Sequence, residues 1–184
     1  MMLLEEILQF NQKFVEDEAY KPFETDGLPN KRAVIFTCMD TRLIELLPNA
    51  LNLKNGDVKM VKNAGAILTD KYDSTMKSIL IAIHALQAEE VFVIAHHNCG
   101  MNHLDTDTLL ERMKVQGITD EAIQSLDKDA NEWLKGFESV EDSVRQSVSI
   151  IEDHPLLPTD IPVHGLVIDP QTGKLDLVTN GYSS

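Results

Sequence analysis

The chain has 184 residues and a net charge of −14, from 30 acidic against 16 basic side chains. That balance weighs against non-specific binding to nucleic acid or anionic membranes, which needs basic patches. No apolar run reaches the roughly 20 residues of a membrane span, and the N-terminus Met1-Met-Leu-Leu-Glu5-Glu6 is acidic where a secretory signal is basic. A soluble cytoplasmic protein, one domain over 1–184, is the expectation.

Leu4, Ile7, Leu8, Phe14 and Val15 fall at helical spacing and predict an amphipathic helix over 2–17, followed by a Pro- and Gly-containing loop up to Arg32. Residues 1–30 thus read as a helical arm and loop. Ala33–Thr37 is a first strand. Arg42–Leu53 is a short helical or irregular connection broken at Pro48. Asn55-Gly56-Asp57 is a turn into a second strand, Val58–Val61, which ends at Asn63-Ala64-Gly65. Asp70–Leu86 is the clearest helix, with Asp70 or Asp73 as its cap. Val91–Ala95 is a third strand. Residues 104–150 are polar and mostly helical, with breaks near Gly117 and Gly136; Val140, Val144, Val148 and Ile151 mark one face of the last helix. Pro162–Ile168 is a fourth strand, joined by the Asp169–Gly173 turn to a hairpin partner, Lys174–Val178. Alternating strands and helices predict an α/β fold: a mostly parallel central sheet of about four strands plus an antiparallel edge strand, flanked by helices.

The two cysteines carry the chemistry. Cys38 follows the apolar run Ala33-Val-Ile-Phe-Thr and precedes Asp40 and Arg42; Cys99 follows Val91-Phe-Val-Ile-Ala and His96-His97-Asn. Each sits at the C-terminal end of a buried strand, the side where open α/β sheets bind ligands. In a reducing compartment two cysteines 61 positions apart are thiols rather than a disulfide. Sulfur, imidazole and carboxylate are zinc donors, and zinc is usually four-coordinate. His96-x-x-Cys99 lets one loop fold two donors onto an ion, with Gly100 freeing the backbone; His97-x-Cys99 competes with it. Cys38 and Asp40 come from the other segment. Asp40 has two suitors. On the metal it closes the fourth position; in a bidentate pair with Arg42 it leaves that position to water.

Cys38-Met-Asp40-Thr-Arg42, Lys62-Asn63-Ala64-Gly65 and His96-His-Asn-Cys99-Gly100 resemble the signature blocks of the β-class carbonic anhydrases, and the resemblance runs over most of residues 30–178, with a compact subgroup the best fit. It implies Cys38, His96 and Cys99 as Zn²⁺ ligands and Asp40–Arg42 as the catalytic dyad. The implied reaction is reversible hydration of CO₂ to bicarbonate and a proton, by hydroxide held on zinc. It also implies a homodimer or higher even-numbered homo-oligomer, with the N-terminal helix packed on a partner subunit. Lys62, Ala66 and His97-Asn98 depart from common family residues. Ile35 stands where a bicarbonate-regulated subgroup has tryptophan, which argues against that allosteric site. Backbone N–H groups near Gly65 and Gly100 are candidate contacts for the substrate anion.

The remaining candidates read mainly as structural. His97 and His103 are close enough in sequence to shuttle protons but read first as loop histidines. His84 reads as a packing histidine on an apolar helix face, and His164 as structural within a strand. Tyr72 and Met101 line either the pocket or the core, and Trp133 packs at a surface or partner. Three rival functions stand beside the main one: a CS₂ or COS hydrolase on the same scaffold, a zinc protein closed by Asp40 that binds bicarbonate, and a redox dithiol of Cys38 and Cys99.

Overall fold

A computed structural model describes residues 2–183. The sheet is built from β1 (Ala33–Cys38), β2 (Val58–Asn63), β3 (Glu90–His96), β4 (Val163–Ile168) and β5 (Leu175–Thr179), in spatial order β2-β1-β3-β4-β5. The first four run parallel and β5 pairs antiparallel with β4, as the sequence pattern predicts. All six residues of β1 are buried, the signature of an inner strand covered on both faces. Its one polar member, Thr37, is satisfied by donating its hydroxyl to the Ile94 carbonyl at 2.7 Å.

Alternation along the strands sorts the core into two layers. Val34 and Phe36 of β1, with Val91 and Val93 of β3, face helices α3 (Ser74–His84) and α7 (Val140–Glu152). Ile35 and Ile94 face the other way, onto α2 (Leu43–Ala50) and both cysteines. Asp73 caps α3 by accepting from the Thr75 amide at 2.6 Å. The predicted stripe Val140, Val144, Val148 and Ile151 is the buried side of α7. It packs tightly on β4 because Gly165 has no side chain: a Cβ there would lie 2.6 Å from Val144 Cγ1.

Two expectations fail for identifiable reasons. Pro48 does not break α2, which continues through it to Ala50. Proline inside a helix costs about 3 kcal/mol, but Leu43 and Leu47, one turn apart, are both fully buried, and each contributes roughly 1.5–3 kcal/mol. Residues 104–150 break at 125–129 as well as at the two glycines. They give α4 (Thr106–Val115), α5 (Asp120–Gln124) and α6 (Ala130–Leu134) before α7. Asp105, Thr119, Asp129 and Ser139 each accept a backbone amide as N-cap, so every break carries its own start signal. The N-terminal helix α1 (Leu3–Glu16) forms as predicted and buries none of its residues. No helix among the described residues is long and apolar enough to cross a membrane.

Candidate metal centre

The chain leaves β1 toward β2 on one side and reaches β4 from β3 on the other, so the β1–β3 junction is where the connections diverge. Ligands in open α/β sheets bind at the carboxyl ends of strands at such a switch point. Cys38 is the last residue of β1 and His96 the last of β3. Both were expected just past their strands; the sheet itself holds them.

The candidate donor atoms of Cys38, His96 and Cys99 lie within 4.8 Å of one another, and all three residues are buried. The two sulfurs are 3.9 Å apart, too far for a disulfide and close to the roughly 3.8 Å that two sulfurs adopt at about 2.3 Å from one tetrahedral zinc. His96 Nδ1 bonds the His97 carbonyl at 2.8 Å. A carbonyl only accepts, so Nδ1 carries the proton and Nε2 presents a lone pair. That Nε2 is buried with no hydrogen-bond partner among the described residues. An orphaned imidazole nitrogen facing two sulfurs is costly unless something positive sits between them. The donor set therefore fits Zn²⁺: two thiolates and a neutral imidazole cancel its charge.

The electrostatics agree. The hydrogen bond from Cys99 brings the Cys38 thiol down to about 4, against the pull of burial, with help from His96 and from the Gly65 and Asp40 amides. Cys99 is pushed up, first by that same bond and then by burial. Burial alone would lower the His96 pKa, but the Cys38 sulfur and the His97 carbonyl outweigh it and raise it. The pocket attracts positive charge, as a proton or as a metal.

Asp40 sits beside this cluster and is held by Arg42. Arg42 Nε donates to Oδ1 at 2.9 Å and Nη2 to Oδ2 at 2.8 Å, and the Arg42 amide adds a third bond to Oδ1 at 2.9 Å. These bonds hold the carboxyl well below the usual carboxylate range. Oδ2 is still only 3.6 Å from His96 Nε2. Arg42 Nη2 also donates to the Asn98 carbonyl at 3.0 Å.

A family model described as carbonic anhydrase matches residues 33–175. The crystal structure of β-carbonic anhydrase isoform I (TvaCA1) from Trichomonas vaginalis superimposes with a TM-score of 0.90 at 36% identity, covering 99% of this chain and 100% of that one. This chain belongs to the β-carbonic anhydrase family. Two Bacillus subtilis (strain 168) proteins named "Putative carbonic anhydrase", YtiB and YvdA, are 51% and 54% identical; both matches cover 100% of this chain, with 100% and 95% of those proteins. A carbon disulfide hydrolase of Acidithiobacillus thiooxidans is 30% identical over 81% of this chain and 78% of its own length.

Within this β-carbonic anhydrase the other candidates separate. Gly65, at φ +82°, needs the conformational freedom of glycine, but its amide donates to Cys38 Sγ at 3.3 Å rather than facing an open anion site. Gly100 does not supply the special backbone of the Cys99 loop. The left-handed residue there is Asn98, at φ 53°, and a Cβ on Gly100 meets nothing within 4 Å. His97 approaches Asp176 Oδ2 at 3.9 Å, while His103 is exposed. His84 is satisfied by the Leu156 carbonyl at 2.8 Å but exposed, contrary to a packing role. His164 is buried, stacks on Phe92 with ring centres 4.8 Å apart, and bonds Glu90 at 2.8 Å. Trp133 and Tyr72 lie on the surface, and Met101 is half-buried against the cysteine layer.

Sequence reasoning missed Gly136. A Cβ there would lie 1.8 Å from the Met101 carbonyl oxygen. Beside it, Phe137 N–H donates to Met101 O at 3.1 Å and His103 N–H to Phe137 O at 2.8 Å. The 135–138 segment thus clamps the loop that carries Cys99. A pocket of about 710 Å³, bordered by Pro158, Asp160 and Tyr182, opens near the start of β4, away from the donors.

Proposed function

We propose that this protein is a zinc-dependent carbonic anhydrase that interconverts CO₂ and bicarbonate, with Cys38, His96 and Cys99 holding the metal and Asp40–Arg42 as the catalytic dyad. The observation that carries the reading is the buried His96 Nε2, without a hydrogen-bond partner among the described residues and facing two sulfurs 3.9 Å apart, with an arginine-held carboxylate at its edge. When bound, zinc supplies a Lewis acid and an acidified water to attack CO₂. Two sulfur donors would make such a water more basic than the value of about 7 typical of three neutral histidines. Asp40 Oδ2, kept ionised by Arg42, would accept a hydrogen bond from that water and orient it toward CO₂. Arg42 also occupies both oxygens of Asp40, which keeps the carboxylate from becoming a fourth ligand. Gly65 and Asp40 amides spread the charge of the Cys38 sulfur.

The uncovered apolar side of α1, with Leu4, Ile7 and Leu8, supports an even-numbered homo-oligomer in which a second copy covers it. The thiol donors suit the reducing cytoplasm. Stopped-flow CO₂ hydration against pH on the zinc-loaded protein tests the function. Activity that rises through alkaline pH supports it, and no activity at any pH refutes it. The similarity to a carbon disulfide hydrolase makes CS₂ the substrate to run beside CO₂; CS₂ turnover without CO₂ hydration would transfer the same chemistry to the sulfur analogue.

A further inference from the structure

Arg42 reaches more than Asp40. Its Nη2 donates both to Asp40 Oδ2 at 2.8 Å and to the main-chain carbonyl of Asn98 at 3.0 Å. Asn98 is one of the few non-glycine residues with positive φ, at 53°. Its side chain is exposed and makes no hydrogen bond among the described residues. What Asn98 contributes is therefore the direction of its carbonyl, and that direction depends on the left-handed conformation. The preceding carbonyl, of His97, accepts from His96 Nδ1. Two consecutive carbonyls thus fan out from one turn, the first fixing the imidazole and the second the guanidinium. Asparagine adopts this conformation more readily than most residues; β-branched residues resist it.

Resting on the function proposed above, we propose that Asn98 is a positioning residue: its left-handed backbone anchors Arg42, and through Arg42 keeps Asp40 off the metal. Without that anchor the guanidinium keeps, among the described residues, only Asp40 as a hydrogen-bond partner, and the pair can swing together. Asp40 Oδ2, 3.6 Å from His96 Nε2, would then be free to reach a metal held by that nitrogen.

The test compares Asn98→Val, which disfavours the conformation, with Asn98→Gly, which accepts it. Both are loaded with Co²⁺ as a spectroscopic substitute for zinc, metal content is measured, and the visible spectrum is titrated with thiocyanate. The parent should respond as an open site. Asn98→Val should hold metal equally well, with a response to thiocyanate weakened by about tenfold, in line with the cost of forcing a β-branched residue left-handed. Asn98→Gly should restore the parent response. Two results overturn the proposal: an Asn98→Val protein that titrates like the parent, or one that loses metal in step with its response, which would make the turn a support for Cys99 alone. The thiocyanate titration does not depend on turnover. A parent inactive toward CO₂ would remove the proposed function yet leave the spectral comparison intact.

Discussion

Gly136 and Gly100 offer a paired test of what organises the metal loop. Gly100 belongs to the motif itself, whereas Gly136 is 37 positions beyond Cys99. In Gly136→Ala the new Cβ would fall 1.8 Å from the Met101 carbonyl oxygen, with the Met101 carbonyl carbon at 2.9 Å. Both are backbone atoms, and relief to an ordinary contact of about 3.2 Å requires the two segments to part by more than an ångström. The hydrogen bonds from Phe137 N–H to Met101 O and from His103 N–H to Phe137 O then break or stretch. At about 0.5–1.5 kcal/mol net each, the loss is on the order of 2 kcal/mol. For a chain of this length that lowers Tm by roughly 4–8 °C. The Met101 amide, which supports the Cys99 sulfur, moves with the loop, so zinc affinity in a chelator competition falls too. Gly100→Ala, with open space and no left-handed backbone, should leave both Tm and zinc affinity near the parent values. Equal behaviour of the two variants, or the reverse order, would refute the clamp.

Other outcomes follow from the same geometry. Cys99→Ser should lose zinc and CO₂ hydration together, read by metal analysis and stopped flow. Asp40→Ala should keep zinc but fall more than tenfold in turnover, because the metal donors remain while the orienting acceptor is gone. Arg42→Ala should return the Asp40 carboxyl toward its ordinary range. A carboxyl with a depressed folded-state pKa stabilises above the unfolded value near 4 and loses that stabilisation as pH falls toward the folded value. The Tm gap between parent and Arg42→Ala should therefore be widest above about pH 4 and shrink in acid. Gly165→Ala should destabilise by about 1–3 kcal/mol in urea melts, since its Cβ meets Val144 Cγ1 at 2.6 Å in a packed layer.

The inner strands were legible because burial on both faces leaves no alternation to misread: Ala33-Val-Ile-Phe-Thr and Val91-Phe-Val-Ile-Ala have a single reading. The candidate donors were legible because two segments each set a cysteine beside other donors at a strand's C-terminal edge; spacing left His96 and His97 both open, and the family resemblance is what implied His96. Backbone conformation was not legible. Gly100 looked like the flexible residue of the loop, yet Asn98 takes the left-handed position, because either residue tolerates it and only the direction of the chain decides. Pro48 looked like a helix end, but the burial of Leu43 and Leu47 is a tertiary gain that local sequence does not register. Gly136 read as punctuation between helices; its close approach to Met101 joins segments 35 residues apart.

The donors at the ends of β1 and β3 have one further consequence. These strands lie inside the sheet, where amide hydrogens should exchange only on opening of the whole molecule. Two of the three candidate donors, Cys38 and His96, thus belong to the strands that should come apart last, while Cys99 lies on the loop beyond β3. Binding free energy here need not be spent on folding, in contrast to small zinc modules that are unfolded when empty. A chelator should strip this protein without collapsing it, and the vacated donors should recapture zinc at the speed of diffusion and dehydration rather than at the speed of refolding.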